Sequence, residues 1–426
     1  MTGIAMARSK KKSIVARAGA SRTPALSWTI GGAEYDARIG RVRQELEQRG
    51  LDGLVLFHPI RMAYVSGFFH LSTERPMAIV ISREGGIGGL IPHLEVGHFA
   101  KARGITNVQV YPEYPTGGGK HPMFHLADLL KEMKLNKRGT RLGFDSNGYL
   151  DINGYDGPAL SEVVAGWVEC VPARDLVDRL RAVKSQQELR LIEESCVWGN
   201  LAHRLMHDAV EPGRSAMEIW LDASNDASKM MVASLGPDYQ PMTAAFGFPA
   251  IANFTAGSST SDPHALNSAM SLRPGDVLVT YGGADVGGYV SELERTMFLG
   301  APAKDAAKAF EQMLTLQQVA FDAIRPGRKF ADVETDVRSA FAELGLQEHQ
   351  RHHTGHGIGL EGHEWPFIDL GSDDLIEENM VLSVEPGFYL PGVAGFRHSD
   401  TVVVRSDGVE RMTWYPRDLQ SLVVDV

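Results

Sequence analysis

The chain has 426 residues, of which 43% are hydrophobic and 22% charged, and its formal net charge is −11. That length predicts two domains rather than one, and the balance is that of a globular chain able to bury a large core, which excludes wholesale disorder. The acidic surplus argues against nucleic acid or an anionic membrane as partner, since both call for a basic footprint, and no apolar run approaches the roughly 20 residues of a membrane helix. A small nitrogenous solute is the expected partner. The two cysteines, Cys170 and Cys196, are too few and too far apart for a disulfide framework or a thiolate metal site, and are read as reduced thiols of a cytoplasmic chain.

In chain order, residues 1–30 open with Arg8, Lys10, Lys11, Lys12, Arg17 and Arg22 and no acidic residue before Pro24. They lack the apolar stretch of a secretory signal, and a disordered basic tail is expected. From Ala33 the apolar spacing predicts a helix ending near Gly50, followed by a strand at Leu54–Phe57. Further strands are expected at Met77–Ile81, Gly89–Ile91 and Arg141–Phe144, with a helix at Phe124–Met133. Residues 31–180 therefore read as an α/β domain of alternating elements.

Helical periodicity resumes at Leu176, with Ser185 and Glu188 spaced as a capping box, and the domain boundary is placed near Lys184. Residues 181–426 read as an α+β domain with a largely antiparallel sheet. Its expected strands are Asp276–Tyr281, Gly288–Phe298, Met380–Glu385 and Ser399–Val404, and its expected helices Ala303–Ile324 and Phe330–Leu344.

Chemistry concentrates in this second half. HHTGHGIGLEGHE, from His352 to Glu364, holds four histidines among four glycines; imidazoles exchange protons near neutral pH, and the glycines let backbone approach a ligand closely. In SELERTMF the alternation of a strand places Glu292, Glu294 and Thr296 on one face. Glu385 ends an apolar strand, where a carboxylate is costly unless paired or used. His264 follows a proline in a turn-like stretch.

In this order and spacing the segments resemble the pita-bread family, which includes creatinase, the Xaa-Pro peptidases, prolidases and methionine aminopeptidase. RMAYVSGF (Arg61 to Phe68) resembles that family's N-terminal domain, LRAVKSQQELRLI its domain junction, and HxxGHGIGLxxHE its most specific motif. The resemblance implies metal-binding positions at Tyr281, Glu292, His356, Glu385 and Ser399. Tyr281 and Ser399 stand where the peptidases have carboxylates, and Glu292 is one methylene longer than the family's Asp. Bridging carboxylates offset the repulsion between two adjacent divalent ions, so a dinuclear centre is not expected.

The segment GYVSELERT is similar to that of creatinase, a branch working without metal, and ectoine hydrolase is a second such branch. That similarity implies catalytic roles for His264, Glu294, Glu385, His356 and His363. It implies substrate-binding roles for Arg75, Glu292, Tyr281 and Arg397, with Arg75 reaching the substrate carboxylate across a homodimer. The expected function is metal-independent hydrolysis of a C–N bond in a small amidine, guanidine or amide bearing a carboxylate, with no cofactor. In that scheme Glu294 and Glu385 clamp a cationic amidine while His264 shuttles the proton. Thr73 and the Trp365–Ile368 region depart from creatinase, so creatine itself is not the expected substrate. Two other readings stand beside it: a dipeptidase with one metal on Glu292, His356 and Glu385, and a non-catalytic binding member of the fold.

Overall fold

The computed structural model describes residues 28–113, 119–149, 155–242 and 247–426. The expected basic tail lies outside the described residues except at its end, where Ile30 is buried and the Trp28 indole donates to Leu235 O at 3.1 Å. No helix among the described residues is long and apolar enough to cross a membrane.

The first unit is a six-stranded mixed sheet of β1 (Gly53–Leu56), β2 (Ala78–Ser82), β3 (Ile87–Pro92), β4 (Ile105–Tyr111), β5 (Arg141–Phe144) and β6 (Glu169–Pro172). Its order is β4-β3-β2-β1-β5-β6, antiparallel where β2 meets β1 and β3, and parallel elsewhere. Strand alternation assigns its two faces to two cores. Val55, Phe57, Ala78, Val80 and Leu90 pack with Leu126, Leu129 and Leu130 of the helix Pro122–Glu132. Leu54, Leu56, Ile79, Ile81 and Ile91 face the helix Gly32–Gln48 and join a core continuous with the second unit.

That second unit is a curled sheet, in order β12-β11-β13-β16-β10-β8-β7, of β7 (Ala250–Ala256), β8 (Val277–Val286), β10 (Leu293–Leu299), β11 (Gly355–Gly357), β12 (Glu364–Ile368), β13 (Val381–Val384) and β16 (Ser399–Arg405). β9 (Tyr289–Val290), β17 (Gly408–Arg411) and β18 (Val423–Val424) attach to it, and β14 (Gly387–Leu390) pairs with β15 (Ala394–Arg397) apart from it. All pairings are antiparallel except β10 with β18. The helices Gln186–Ala209 and Ala216–Leu235 cover β7 and β8, and Lys304–Ala323 and Phe330–Glu343 pack on each other beside β13 to β15. This is a two-domain pita-bread fold, as the family resemblance implied.

Ion pairs without access to water join the units. Arg38, fully buried on the first helix, donates to Tyr64 O at 2.9 Å and to Tyr289 Oη at 3.0 Å, and lies 3.2 Å from Glu188 Oε1. At the junction Lys184 Nζ meets Glu364 Oε1 at 2.7 Å, and Arg181 holds Glu364 Oε2 while reaching Glu361 at 2.8 Å. The Ser185/Glu188 capping box starts the helix Gln186–Ala209 here, so the chain turns at Lys184 with its side chain pinned on the histidine-rich loop. Removing one partner of a buried pair leaves the other charge uncompensated. Glu364→Gln is therefore expected to cost about 3–5 kcal/mol, read as a lower urea midpoint, whereas a change under about 1 kcal/mol would mean that the junction is no more than a surface pair.

Candidate active site

Sheet register places one chemical group after another on adjacent strands. His356 on β11 lies opposite Ser383 on β13. β13 runs antiparallel to β16, which starts at Ser399, and Ser399 is the partner of Glu294 on β10. Glu294 is in turn the partner of Tyr281 on β8. Glu385 follows β13 directly and Glu292 precedes β10, so both project from strand ends toward the same space. Carboxylate oxygens of Glu292, Glu294 and Glu385 lie within 4.8 Å of one another, as do ligand atoms of Glu292, His356 and His363.

The electrostatics follow from this crowding. His356 is fully buried; its Nδ1 faces Gly357 O at 3.0 Å, which turns Nε2 toward the carboxylates. Nε2 sits 3.2 Å from Glu385 Oε1, at ion-pair distance but outside hydrogen-bond alignment. Burial alone lowers an imidazole pKa, yet the facing Glu385 and Glu292 carry His356 up to about 9. Glu385 is likewise drawn down to about 2 against its burial, by His356 and Arg397. His363 stacks on His356 with ring centroids 3.7 Å apart, and burial together with that neighbour lowers its pKa.

Arg397 closes the other side. Nη2 donates to Glu294 Oε1 at 2.6 Å while Nε engages Oε2, and Nη1 donates to Tyr389 Oη at 3.1 Å. Tyr389 Oη lies 2.9 Å from His352 Nε2, whose Nδ1 lies 2.8 Å from His353 O. With Nδ1–H donated to that carbonyl, Nε2 accepts the phenol proton, and the chain of bonds is complete. Burial with Glu292 and Glu385 alongside raises Glu294 to about 8, despite the arginine. On the far side Ser399 Oγ donates to Glu292 Oε1 at 2.7 Å, Ser383 Oγ donates to the same oxygen, and the two hydroxyls are 2.7 Å apart.

These residues fit one divalent ion and not two. Glu292 is common to both groups, with His356 and His363 in one and Glu294 and Glu385 in the other, and His356 Nε2 lies 3.2 Å from Glu385 Oε1; carboxylates and imidazole nitrogens gathered in this way suit one zinc or manganese ion. The buried, unaligned Nε2 of His356, with Nδ1 already fixed on a carbonyl, is what a metal-ligating imidazole looks like before it is loaded. A second ion lacks ligands: burial and the neighbouring Glu292 and Glu294 raise the Tyr281 phenol pKa, so it stays neutral. Ser399 is engaged on Glu292, and Glu294 is closed by Arg397. The longer Glu292 reaches into the space that the shorter Ser399 leaves.

Of the residues expected from sequence, Glu292, Glu294, Glu385, His356, His363, Tyr281 and Arg397 converge here. His264 is exposed, in the turn after Gly257–Ser261, and belongs to neither carboxylate cluster. Arg75 lies on the N-terminal domain, its guanidinium meeting Glu74 and, at 2.8 Å, Glu113. Sequence reasoning passed over Ser383 and Tyr389. Alternation held a signal for Ser383, two residues before Glu385 on one strand. It also passed over Glu334, a buried carboxylate that accepts from Thr354 N at 2.9 Å and Thr354 Oγ1 at 2.7 Å and so anchors the start of the histidine loop. Gly355 allows that loop to lie flat on β13, since a Cβ there would sit 2.0 Å from Ser383 O.

Comparison with known proteins bears on the reaction. Residues 190–406 match metallopeptidase family M24, and residues 38–183 match the creatinase/prolidase N-terminal domain. The chain is 34% identical over 409 residues to the "Probable dipeptidase PepE" of Mycobacterium tuberculosis, covering 92% of this chain and 98% of that protein. Among solved structures it is similar to dipeptidase PepE from Mycobacterium ulcerans, with TM-score 0.78, 27% identity, and coverage of 93% of this chain and all (100%) of that one. It is also similar to an Xaa-Pro dipeptidase from Bacillus anthracis, with TM-score 0.75, 25% identity, and coverage of 92% and 100%.

These relatives overturn the expectation of a metal-independent, creatinase-like or ectoine hydrolase-like C–N hydrolase. The geometry supplies the reason. Glu294, expected to clamp a cationic amidine, has both oxygens bound by Arg397, and groups able to ligate an ion remain at Glu292, His356 and Glu385 despite the departures at Tyr281 and Ser399. With a family match over half its length and a relative this similar across nearly all of it, the chain belongs to metallopeptidase family M24.

Proposed function

We propose that this protein is a dipeptidase of the Xaa-Pro type acting with a single divalent ion. The observation that supports the reading most directly is the meeting at Glu292 of two groups, one with His356 and His363 and one with Glu294 and Glu385, in a chain similar over most of its length to dipeptidases. The ion, held by Glu292, His356 and Glu385, would supply Lewis-acid polarisation of the scissile amide.

The chain's own groups do the remaining work. Ser383 and Ser399 both donate to one oxygen of Glu292, which leaves the other free of them. Arg397, fixed by Glu294 and Tyr389, holds a positive charge 3.7 Å from Glu385 and stabilises negative charge developing nearby. His363, exposed at the mouth with its pKa lowered, remains neutral and able to accept a proton or a hydrogen bond from a bound peptide.

Three outcomes are expected. Xaa-Pro dipeptides are hydrolysed, activity disappears with chelation, and it returns with manganese, zinc or cobalt. A protein inert toward proline and non-proline dipeptides under every such ion, or one fully active after exhaustive chelation, would refute this reading. Elemental analysis should find one metal equivalent per chain, and substoichiometric metal in Glu385→Gln and His356→Ala. Ser399→Ala should weaken manganese binding about 10–100-fold, as loss of a hydrogen bond to a ligand does, while the Tyr281→Asp/Ser399→Glu double variant should take up a second equivalent by titration calorimetry. An unchanged stoichiometry of one in that double variant would show that the two replacements do not set the ion count.

A further inference from the structure

Beside the ion site lies a cleft of about 490 Å³ between the two domains, and His363 belongs to its wall. Its floor comes from β12 and the helix Arg174–Ala182; its N-terminal-domain side includes His58, Arg61 and Pro172. A volume of this size suits a ligand of one or two residues. Because His363 stacks directly on His356, the cleft begins where the reacting groups end.

The chemistry of the walls narrows what fits. Arg61 is bound bidentately by Asp178 at 2.8 and 2.7 Å, and Arg181 by Glu361 and Glu364. Asp175 is paired with Arg49 at 2.9 Å. Arg174 is exposed, leaving the inner charges neutralised pairwise. His58 is also uncharged near neutral pH, since burial and Arg61 lower its pKa to about 4. Two polar atoms of the wall, His58 Nδ1 and Arg181 Nε, are buried without a hydrogen-bond partner, and the surface left open is apolar: Pro172, the partly exposed ring of Trp365, and Phe367, 38% exposed. Trp365 is braced from one side by Arg179, whose guanidinium carbon lies 4.8 Å from the ring centroid. A cleft with its charges paired and an aromatic wall gains from burying apolar surface, not from capturing an ion.

We infer that this interdomain cleft receives the side chain of the substrate residue preceding the scissile bond, and that it selects large apolar or aromatic side chains there. The inference rests on the dipeptidase reading and assigns the N-terminal domain of the same chain a part in specificity. Trp365 and Phe367 act as specificity residues through contact with that side chain.

The test compares kcat and KM for Phe-Pro, Leu-Pro and Gly-Pro in the wild type, Trp365→Ala and Phe367→Ala, with circular dichroism to verify folding. The expected result is a fall of about 10–100-fold in the Phe-Pro to Gly-Pro ratio of kcat/KM, the size of a lost apolar contact in a pocket, appearing mainly in KM. A ratio that does not change in either folded variant overturns the inference. Titration calorimetry with phenylalaninamide and glycinamide gives a reading independent of turnover. Preferential phenylalaninamide binding, lost in Trp365→Ala, supports the cleft even if no dipeptide is cleaved, and binding equal in both proteins or to both amides overturns it. Should Trp365→Ala fail to fold, Phe367→Ala, at a more exposed position, decides alone.

Discussion

Glu364 is a carboxylate with almost no access to water, held from two sides by Arg181 and Lys184. The two cations come from the segment joining the domains, and the anion comes from the end of the histidine-rich loop. Low dielectric makes the arrangement stringent: each member left alone would be costly, so all three are placed together. One cluster thereby fixes the angle between domains, the start of β12, and the position of His363 one residue earlier. The cleft wall and the ion site thus share a mechanical origin.

Much of the active site was legible because strand alternation and register are simple rules. Glu292 and Glu294 fall on one face as the period of two requires, and the HxxGHGIGLxxHE spacing delivers His356 and His363 together. What stayed hidden depended on partners far away in sequence. Nothing near Glu294 indicates that Arg397 will occupy both of its oxygens, so a structural ion pair read as an open clamp. The helix Ala216–Leu235 escaped for another reason. Its buried stripe is built from Ala223, Ser224, Ala227 and Ser228 as much as from Ile219 and Met231, and small residues leave little hydropathy signal. There Ser224 and Ser228 donate to Ala252 O and Ala250 O at 3.0 and 2.9 Å, so the helix docks on β7 by hydrogen bonds that no apolar pattern announces. β4, which is not among the expected strands, alternates half-buried and exposed residues at the sheet edge.

At 292 and 399 two departures from the family's motif exchange side-chain lengths. A carboxylate shortened to serine at 399 and another lengthened to Glu at 292 leave the enclosed volume filled and the shared hydrogen bonds made. Glu294 brings a third carboxylate beside two others; burial and crowding push it toward the neutral form, and the bidentate contact with Arg397 offsets what charge it carries.

Gly355 has an implication for dynamics. With β11 pressed on β13 closely enough to exclude even a methyl group, His356 and the strand leading into Glu385 move as one body. The backbones that carry these two side chains are held at a fixed spacing, and the entropy of bringing them together was lost during folding. Separating them requires the sheet itself to part, an event of local unfolding.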